Sequence, residues 1–314
     1  MASIRHFVQP EADAQFPAEK GRYHLYVTYS CPFACRALTA RNLKGLQDVV
    51  AVSVAHPIFQ KTRPDDDSDD HKGWTFVDPD TEPTTTGFDG RTYPTLPGCT
   101  HDQALNTRFV RDIYDLVDNE PRRYTVPLLW DSKTKTIVNN ESADILRMFN
   151  SSFRAFESSN ATLDLLPADR LQQIEATMTD LIAAIGADWF AGALSPERDL
   201  APEFLARTFA NIQRVEDVLT TSRFLVGEII TEPDIALFHT LVRYDLAQRA
   251  SSQQNLVQYP NLVNYLRELY QTPAIKASVE WDHVKLMFIN MNETLRTPAG
   301  PFIDYDAPHD RVRL

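Results

Sequence analysis

The stretch RYHLYVTYSCPFACRALTARNLKGL, residues 22–46, decides the fold. Its first part, Arg22 to Tyr29, is dense in aromatic and β-branched side chains and reads as a strand. Cys31 and Pro32 follow, and proline suits the first helical turn, where its missing N–H is no loss. From Phe33 onward apolar residues recur at helical spacing, and Gly45 supplies a stop. The next segment, QDVVAVSVAHPIF (47–59), is a near-continuous apolar run of the kind buried in a parallel sheet. The order is β-α-β, with a Cys-Pro turn where the first strand feeds its helix.

That turn raises a chemical question, because the chain has only 3 cysteines and two of them, Cys31 and Cys35, flank the same helical turn. At a helix N-terminus the dipole and the unpaired N–H groups stabilise a thiolate, which is the physical reason for placing Cys31 there. Cys35 lies one turn further on, on the same side, and cannot share those amides. It is read as packing against the sheet, with a second thiol that resolves an oxidised Cys31 as the other reading.

Residues 60–100 are rich in Asp, Pro, Thr and Gly and read as a long ordered loop or insertion. The acidic run from Asp65 to Asp70 is taken as a solvated face rather than a metal site. Trp74 is a large aromatic in polar surroundings and is expected to pack on the domain or on a ligand. TRFVRDIYDLVD (107–118) reads as an amphipathic helix whose Asp112 and Asp115 cap or pair with nearby arginines. YTVPLLWDSKTKTIVNNESADILRMF (124–149) reads strand, turn, strand, helix. Pro127 removes a ladder donor, and a cis Val126–Pro127 bond would turn the chain and leave the Val126 backbone free for a partner. In NNESADIL polar residues precede an apolar periodic run, a helix start.

From about residue 165 the pattern is helical throughout. ADRLQQIEATMTDLIAAIG (168–186) puts Leu171, Ile174, Met178, Leu181, Ile182 and Ile185 on one face. TEPDIALFHTLVRYDL (231–246) opens with Thr231 and Asp234 in capping-box spacing. The expected organisation is an α/β thioredoxin-like N-terminal domain over 1–155, carrying the insertion at 60–105, then an all-α domain over 160–295. A Pro-rich tail, 296–314, is expected to lie over the surface.

Composition narrows the partners. The 314 residues are 43% hydrophobic and 24% charged with a formal net charge of −12, and no block of Lys and Arg stands out. A phosphate-tracking surface and an anionic membrane are therefore poor partners, and no apolar run is long enough to span a bilayer. The opening stretch lacks an uninterrupted apolar core, so a cytoplasmic location is expected and four Asn-x-Ser/Thr triplets are read as chance matches. The histidines show no metal-ligand spacing.

Glu141 and Ser142 begin a helix whose exposed amides bind a carboxylate, and Glu141 can hold an ammonium. A ligand carrying carboxylate, ammonium and thiol, lying between Val126, Glu141 and Cys31, is glutathione. RYHLYVTYSCPFACRALTARNLKGLQDVVAVSVAHP, GWTF, TVPLLWD…TIVNNESADILRMFN, FLVGEIITEPDIALFHTLVRYD and YPNLVNYLRELYQ together resemble the glutathione transferase superfamily, in its omega-like or xi branch of glutathionyl-hydroquinone reductases. The resemblance covers most of the chain and implies the glutathione transferase fold. It implies that Cys31 is the catalytic cysteine and that Trp74 lies beside glutathione. By the same resemblance Arg123 precedes the strand, Val126 pairs its backbone with the cysteinyl part before Pro127, and Glu141 and Ser142 hold the γ-glutamyl end. Members normally form homodimers.

The sequence also departs from that pattern. Phe33 and Cys35 stand where the family has Trp and His. Gly192-Ala193-Leu194, the stretch from Arg243 to Gln248, and Met287-Phe288 stand where it has tyrosines. With Cys35, Leu194, Gln248 and Phe288 on its substrate side, the site reads as more apolar, and each lost phenol removes a donor worth roughly 3 kcal/mol at a developing oxyanion. The expected activity is glutathione transfer to or from a hydrophobic electrophile, a quinone or an unsaturated carbonyl. A glutathione-dependent cis–trans isomerase or another tailoring step of a secondary metabolite, and a non-catalytic glutathione- or ligand-binding protein, are the other readings.

Overall fold

A computed structural model describes residues 4–118, 120–157, 163–193, 202–247, 255–290 and 300–311. The chain divides into two compact units, Met1–Ala161 with Val279–Asn290, and Thr162–Ser278 with Met291–Leu314. Along the first unit run β1 (Tyr23–Val27), α1 (Pro32–Leu43), β2 (Ala51–Val54), β3 (Gln60–Lys61), β4 (Lys72–Gly73), β5 (Thr84–Thr86), β6 (Thr92–Pro94), α2 (Val110–Asp115), β7 (Leu128–Asp131), β8 (Thr136–Asn139) and α3 (Ser142–Ser151).

Four of these strands form one sheet in the order β2-β1-β7-β8. β1 runs parallel to β2, with Leu25 beside Val52, and antiparallel to β7, with Tyr26 beside Leu128. β8 returns antiparallel to β7. This is the thioredoxin-like sheet that the β-α-β reading calls for. Leu25, Tyr26 and Val27 have no exposed surface, and sealing an aliphatic side chain this way contributes about 2 kcal/mol. α1 and α3 pack against each other, α1 offering Ala34, Ala37 and Ala40, all fully buried. Pro32 is the first residue of α1, and Gly45, with φ of +65°, ends it by donating its N–H to the Asn42 carbonyl at 3.1 Å.

One buried ion pair fixes the far end of the central strands. Arg22 grips Asp131 through two hydrogen bonds of 2.9 and 2.5 Å, and Asp131 also accepts from the Lys133 N–H and the Thr134 hydroxyl. Burial works against the Asp131 charge, but these donors win and hold its carboxyl below the usual range.

The 60–100 segment is ordered and carries two short hairpins, β3 with β4 and β5 with β6. It is fastened to α2 by charge: Arg63 reaches Asp112 at 2.8 Å and Asp115 at 2.6 Å, and Asp69 reaches Arg111 at 2.5 Å. Asp112 and Asp115 are thus ion-pair partners, as their placement on a helix face suggested. α2 itself is shorter than the amphipathic pattern of 107–118, because Asp102 takes the Thr107 N–H and hydroxyl and draws the first residues out of the helix.

The second unit contains α4 (Leu171–Thr177), α5 (Ala183–Ala193), α6 (Pro202–Val218), α7 (Glu232–Ala247), α8 (Pro260–Gln271) and α9 (Pro273–Lys276). α4 passes into α5 through a π-helical turn over Met178–Ile182. Ile174, Leu181, Ile182 and Ile185 are buried as their spacing predicts, whereas Leu171 is exposed. The tail does more than cover the surface. Ile303, Tyr305 and Arg311 are buried, Arg311 bonds Glu268 at 2.8 Å, and Gln271 donates to the Tyr305 and Ala307 carbonyls at 2.9 and 2.8 Å.

The last helix, α10 (Trp281–Met287), continued by the short turn Phe288–Asn290, belongs to the first unit. Its helical periodicity alone groups it with the all-α domain expected over 160–295. His283 Nε2 lies 2.8 Å from the Pro97 carbonyl, and Leu286 packs on Val77, Leu96 and Cys99.

Candidate active site

Sheet order brings three dispersed sequence positions to one edge. β1 ends, β7 begins and β8 ends at the same end of the sheet, since Tyr26 pairs with Leu128 and Leu129 with Asn139. Cys31, Val126 and Glu141 follow or precede those strand ends directly.

Cys31 is the N-cap of α1, with φ −84° and ψ 119°. Its side chain is partly exposed, and its Sγ lies 3.7 Å from the Val126 carbonyl. The Val126–Pro127 bond is cis. The Val126 N–H has no backbone partner among the described residues, which leaves it available to an incoming peptide-like group. Arg123, three residues earlier, is exposed and makes no ion pair or hydrogen bond among the described residues.

Glu141 caps α3 from an extended backbone, φ −102° and ψ 119°, and the Ser142 hydroxyl lies 3.5 Å from its carboxylate. The first turn of α3 leaves N–H groups without intrahelical partners, and these with the dipole favour an anion. The entry to this helix is held by residues that local sequence reading missed. Asn139 accepts the Glu141 N–H at 2.7 Å. Asn140 donates to Tyr114 at 2.9 Å, and Tyr114 donates to the Thr125 carbonyl at 3.0 Å. One buried phenol therefore ties α2, the segment before Val126 and the start of α3 together. Arg5 bonds Asp144 twice at 2.6 Å, and although burial opposes it, that pairing holds the Asp144 carboxyl below its usual range. The only local signal was the polar run NNES, which reads as a helix start and names no partner.

Trp74 packs edge-on against Phe59, with ring centroids 4.3 Å apart. Phe33 is 38% exposed, and the Arg36 guanidinium sits 4.7 Å from its ring centre. The residues assigned to a substrate pocket fare differently. Cys35 has no exposed surface, and its sulfur faces the Tyr29 and Thr28 carbonyls at 3.4 and 3.8 Å. Its side chain has no open face for a substrate and is a packing group. Phe288 is likewise fully buried, in the turn after α10. Leu194 and Gln248 lie outside the described residues. The third cysteine, Cys99, is inert: burial pushes its thiol up to about 12. No helix among the described residues is long and apolar enough to cross a membrane.

Comparison with known proteins gives the family and the fold. Residues 30–152 match the family model for the glutathione S-transferase N-terminal domain, and residues 198–268 match that for the C-terminal domain. Glutathionyl-hydroquinone reductase YqjG of Escherichia coli (strain K12) is 33% identical over 310 residues, covering 96% of this chain and 86% of that protein. A solved structure of YqjG, described as glutathione-bound, superposes with a TM-score of 0.83 at 31% identity, over 99% of this chain and 96% of the other. The Xi class transferase of Natrialba magadii gives a TM-score of 0.85 at 35% identity, over 100% and 92% of the two chains. From its sheet, its Cys-Pro helix start and these likenesses, the chain belongs to the glutathione S-transferase family, in the Xi class.

Proposed function

We propose that the protein is a glutathione-dependent enzyme that removes glutathione from a glutathionyl-quinol, with Cys31 as the attacking thiol. The observation that carries this reading is the seat of the Cys31 sulfur: partly exposed, at the N-terminus of a 12-residue helix, 3.7 Å from the Val126 carbonyl. The names of the E. coli relative and its glutathione-bound structure support it.

In this reading the γ-glutamyl carboxylate meets the first turn of α3 and Ser142, and its ammonium meets Glu141. The cysteinyl part pairs with the Val126 backbone at the cis Val126–Pro127 bond, and the terminal carboxylate meets Arg123. Trp74 and Phe33 flank the tripeptide. Cys31, as thiolate, attacks the sulfur of the conjugate. An S–S bond forms, the carbon–sulfur bond breaks, and its electron pair stays on the ring carbon, which takes up a proton to give the free quinol. Cys31 is regenerated when a second glutathione thiolate attacks the mixed disulfide and leaves as glutathione disulfide. Over the cycle one glutathione thiol and the thioether sulfur of the conjugate become a disulfide, and the carbon–sulfur bond is reduced to carbon–hydrogen by the same two electrons. The proposed assembly is a homodimer, which light scattering reads.

The test uses glutathionyl-menadiol, made by prior reduction of glutathionyl-menadione, with added glutathione. The wild-type protein is expected to release menadiol with glutathione disulfide, and Cys31→Ser to lose at least about a thousandfold in rate while still binding glutathione by calorimetry. Glutathione binding without release by the wild type would instead leave isomerisation of an unsaturated metabolite, or ligand carriage, as the role of this site. No association at millimolar glutathione would remove the whole reading.

A further inference from the structure

One side chain from the far end of the chain holds the segment that packs behind Trp74. Asn290 closes the turn after α10, and it clamps the backbone of residues 57–59 from both sides: its Oδ1 accepts the Phe59 N–H at 2.8 Å and its Nδ2 donates to the Pro57 carbonyl at 2.5 Å. The amide group imitates a strand neighbour for a segment that has left the sheet. Ring and backbone of Phe59 are both engaged, since its carbonyl takes the Phe88 N–H at 2.8 Å and its ring meets Trp74 edge-on at 4.3 Å. The partners lie 231 and 233 residues apart in sequence, yet fall within one compact unit.

α10 is held to the same unit at its other end. His283 Nε2 lies 2.8 Å from the Pro97 carbonyl and its ring meets Tyr29 edge-on at 5.2 Å, two residues before Cys31. The turn that carries Asn290 is therefore fixed to the sheet domain at two points, and a rigid clamp transmits its position to what it holds.

We infer that Asn290 is a positioning residue for the glutathione site: through Phe59 it sets where the Trp74 indole stands. This rests on the functional reading above in one respect, that Trp74 lies against the tripeptide. An apolar ring pair alone would slide, because dispersion contacts are non-directional, whereas two hydrogen bonds to main-chain groups define both height and tilt. Only an amide offers donor and acceptor together at this spacing, so neither alanine nor aspartate can replace it.

The test measures glutathione affinity by calorimetry and the Trp74 emission, taken as the difference between each protein and its Trp74→Phe counterpart. Asn290→Ala is expected to weaken glutathione binding by about fivefold or more and to shift the Trp74 emission. Phe59→Leu, which stays apolar but removes the ring that meets Trp74 and is the second route should Asn290→Ala fold poorly, is expected to do the same. The double variant should be no worse than the more affected single one, because both act along one path. Wild-type affinity in folded Asn290→Ala or Phe59→Leu, or an unchanged Trp74 difference spectrum, overturns the inference, and additive losses would do so too. Should the wild-type protein bind no glutathione, the functional reading fails separately, and an unshifted Trp74 emission then overturns the positioning as well.

Discussion

At the scale of single residues, three cysteines occupy three environments, and environment rather than residue type decides which can react. Cys31 stands partly exposed at a helix start, where a negative sulfur is favoured. Cys35, one turn on, is sealed against the Tyr29 and Thr28 carbonyls, and Cys99 is pushed by burial to about 12. Cys35→Ala is therefore expected to cost about 1 kcal/mol of stability, from the lost sulfur contacts, and to leave turnover within about twofold. Urea unfolding and quinol release read the two quantities separately. A collapse of turnover at unchanged stability would move Cys35 from packing to chemistry. Part of this was legible in advance: the Cys-Pro helix start and the Glu141–Ser142 pair are local patterns with local causes. The orientation of Cys35 was not, because spacing places it on the Cys31 side of the helix without saying that the preceding loop folds over it.

At the scale of elements, the start of α7 shows what a local pattern can and cannot specify. Thr231 and Asp234 have capping-box spacing, and Asp234 takes the Thr231 N–H and hydroxyl at 2.7 and 2.8 Å. The same carboxylate also accepts the Leu225 N–H and the Tyr265 hydroxyl, each at 2.9 Å, from a loop and from α8. The first pair was readable from four adjacent letters. The second pair depends on the tertiary fold, as do the shortening of α2 by Asp102 and the π turn between α4 and α5. Asp234→Ala strips a cap and leaves four buried donor groups without this acceptor, so a loss of about 3 kcal/mol or more is expected, against about 1 kcal/mol for an ordinary exposed cap. Asp234→Asn, which keeps one acceptor, should fall between them. Denaturant midpoints order the three proteins, and equal losses in both variants would reduce Asp234 to a simple cap.

At the scale of the whole molecule, helical periodicity assigned everything after residue 165 to one domain, yet α10 belongs to the sheet-bearing unit. Periodicity reports which face is apolar and is silent about which core receives it, so no reading of 281–291 alone could place His283 under Pro97. That placement has a thermodynamic consequence. Burial pushes the His283 imidazole down to about 4, and its Nδ1 has no hydrogen-bond partner among the described residues, so protonation would bury an unmet donor. His24, on β1 with Nε2 2.9 Å from the Ser53 hydroxyl, is also pushed to about 4 by burial, with Asp102 opposing and Arg41 assisting. His56 is lowered by the same cause. In each, the folded protein holds a neutral ring while the unfolded chain takes a proton below about 6.5. Between about pH 6.5 and 4 the unfolded state binds more protons, so stability is full above that window and falls as pH drops through it. His24 and His283 should each withdraw about 2 kcal/mol by pH 5 and about 3 by pH 4. Urea unfolding at pH 7.5 and pH 5 is expected to show the fall. His24→Asn and His283→Asn, although less stable at pH 7.5, should each lose less on acidification than the wild type. If both kept the full wild-type loss between pH 7.5 and pH 5, the assignment to these imidazoles would fail, because the paired carboxylates Asp131 and Asp144, held below the usual range, give up their contribution only at lower pH.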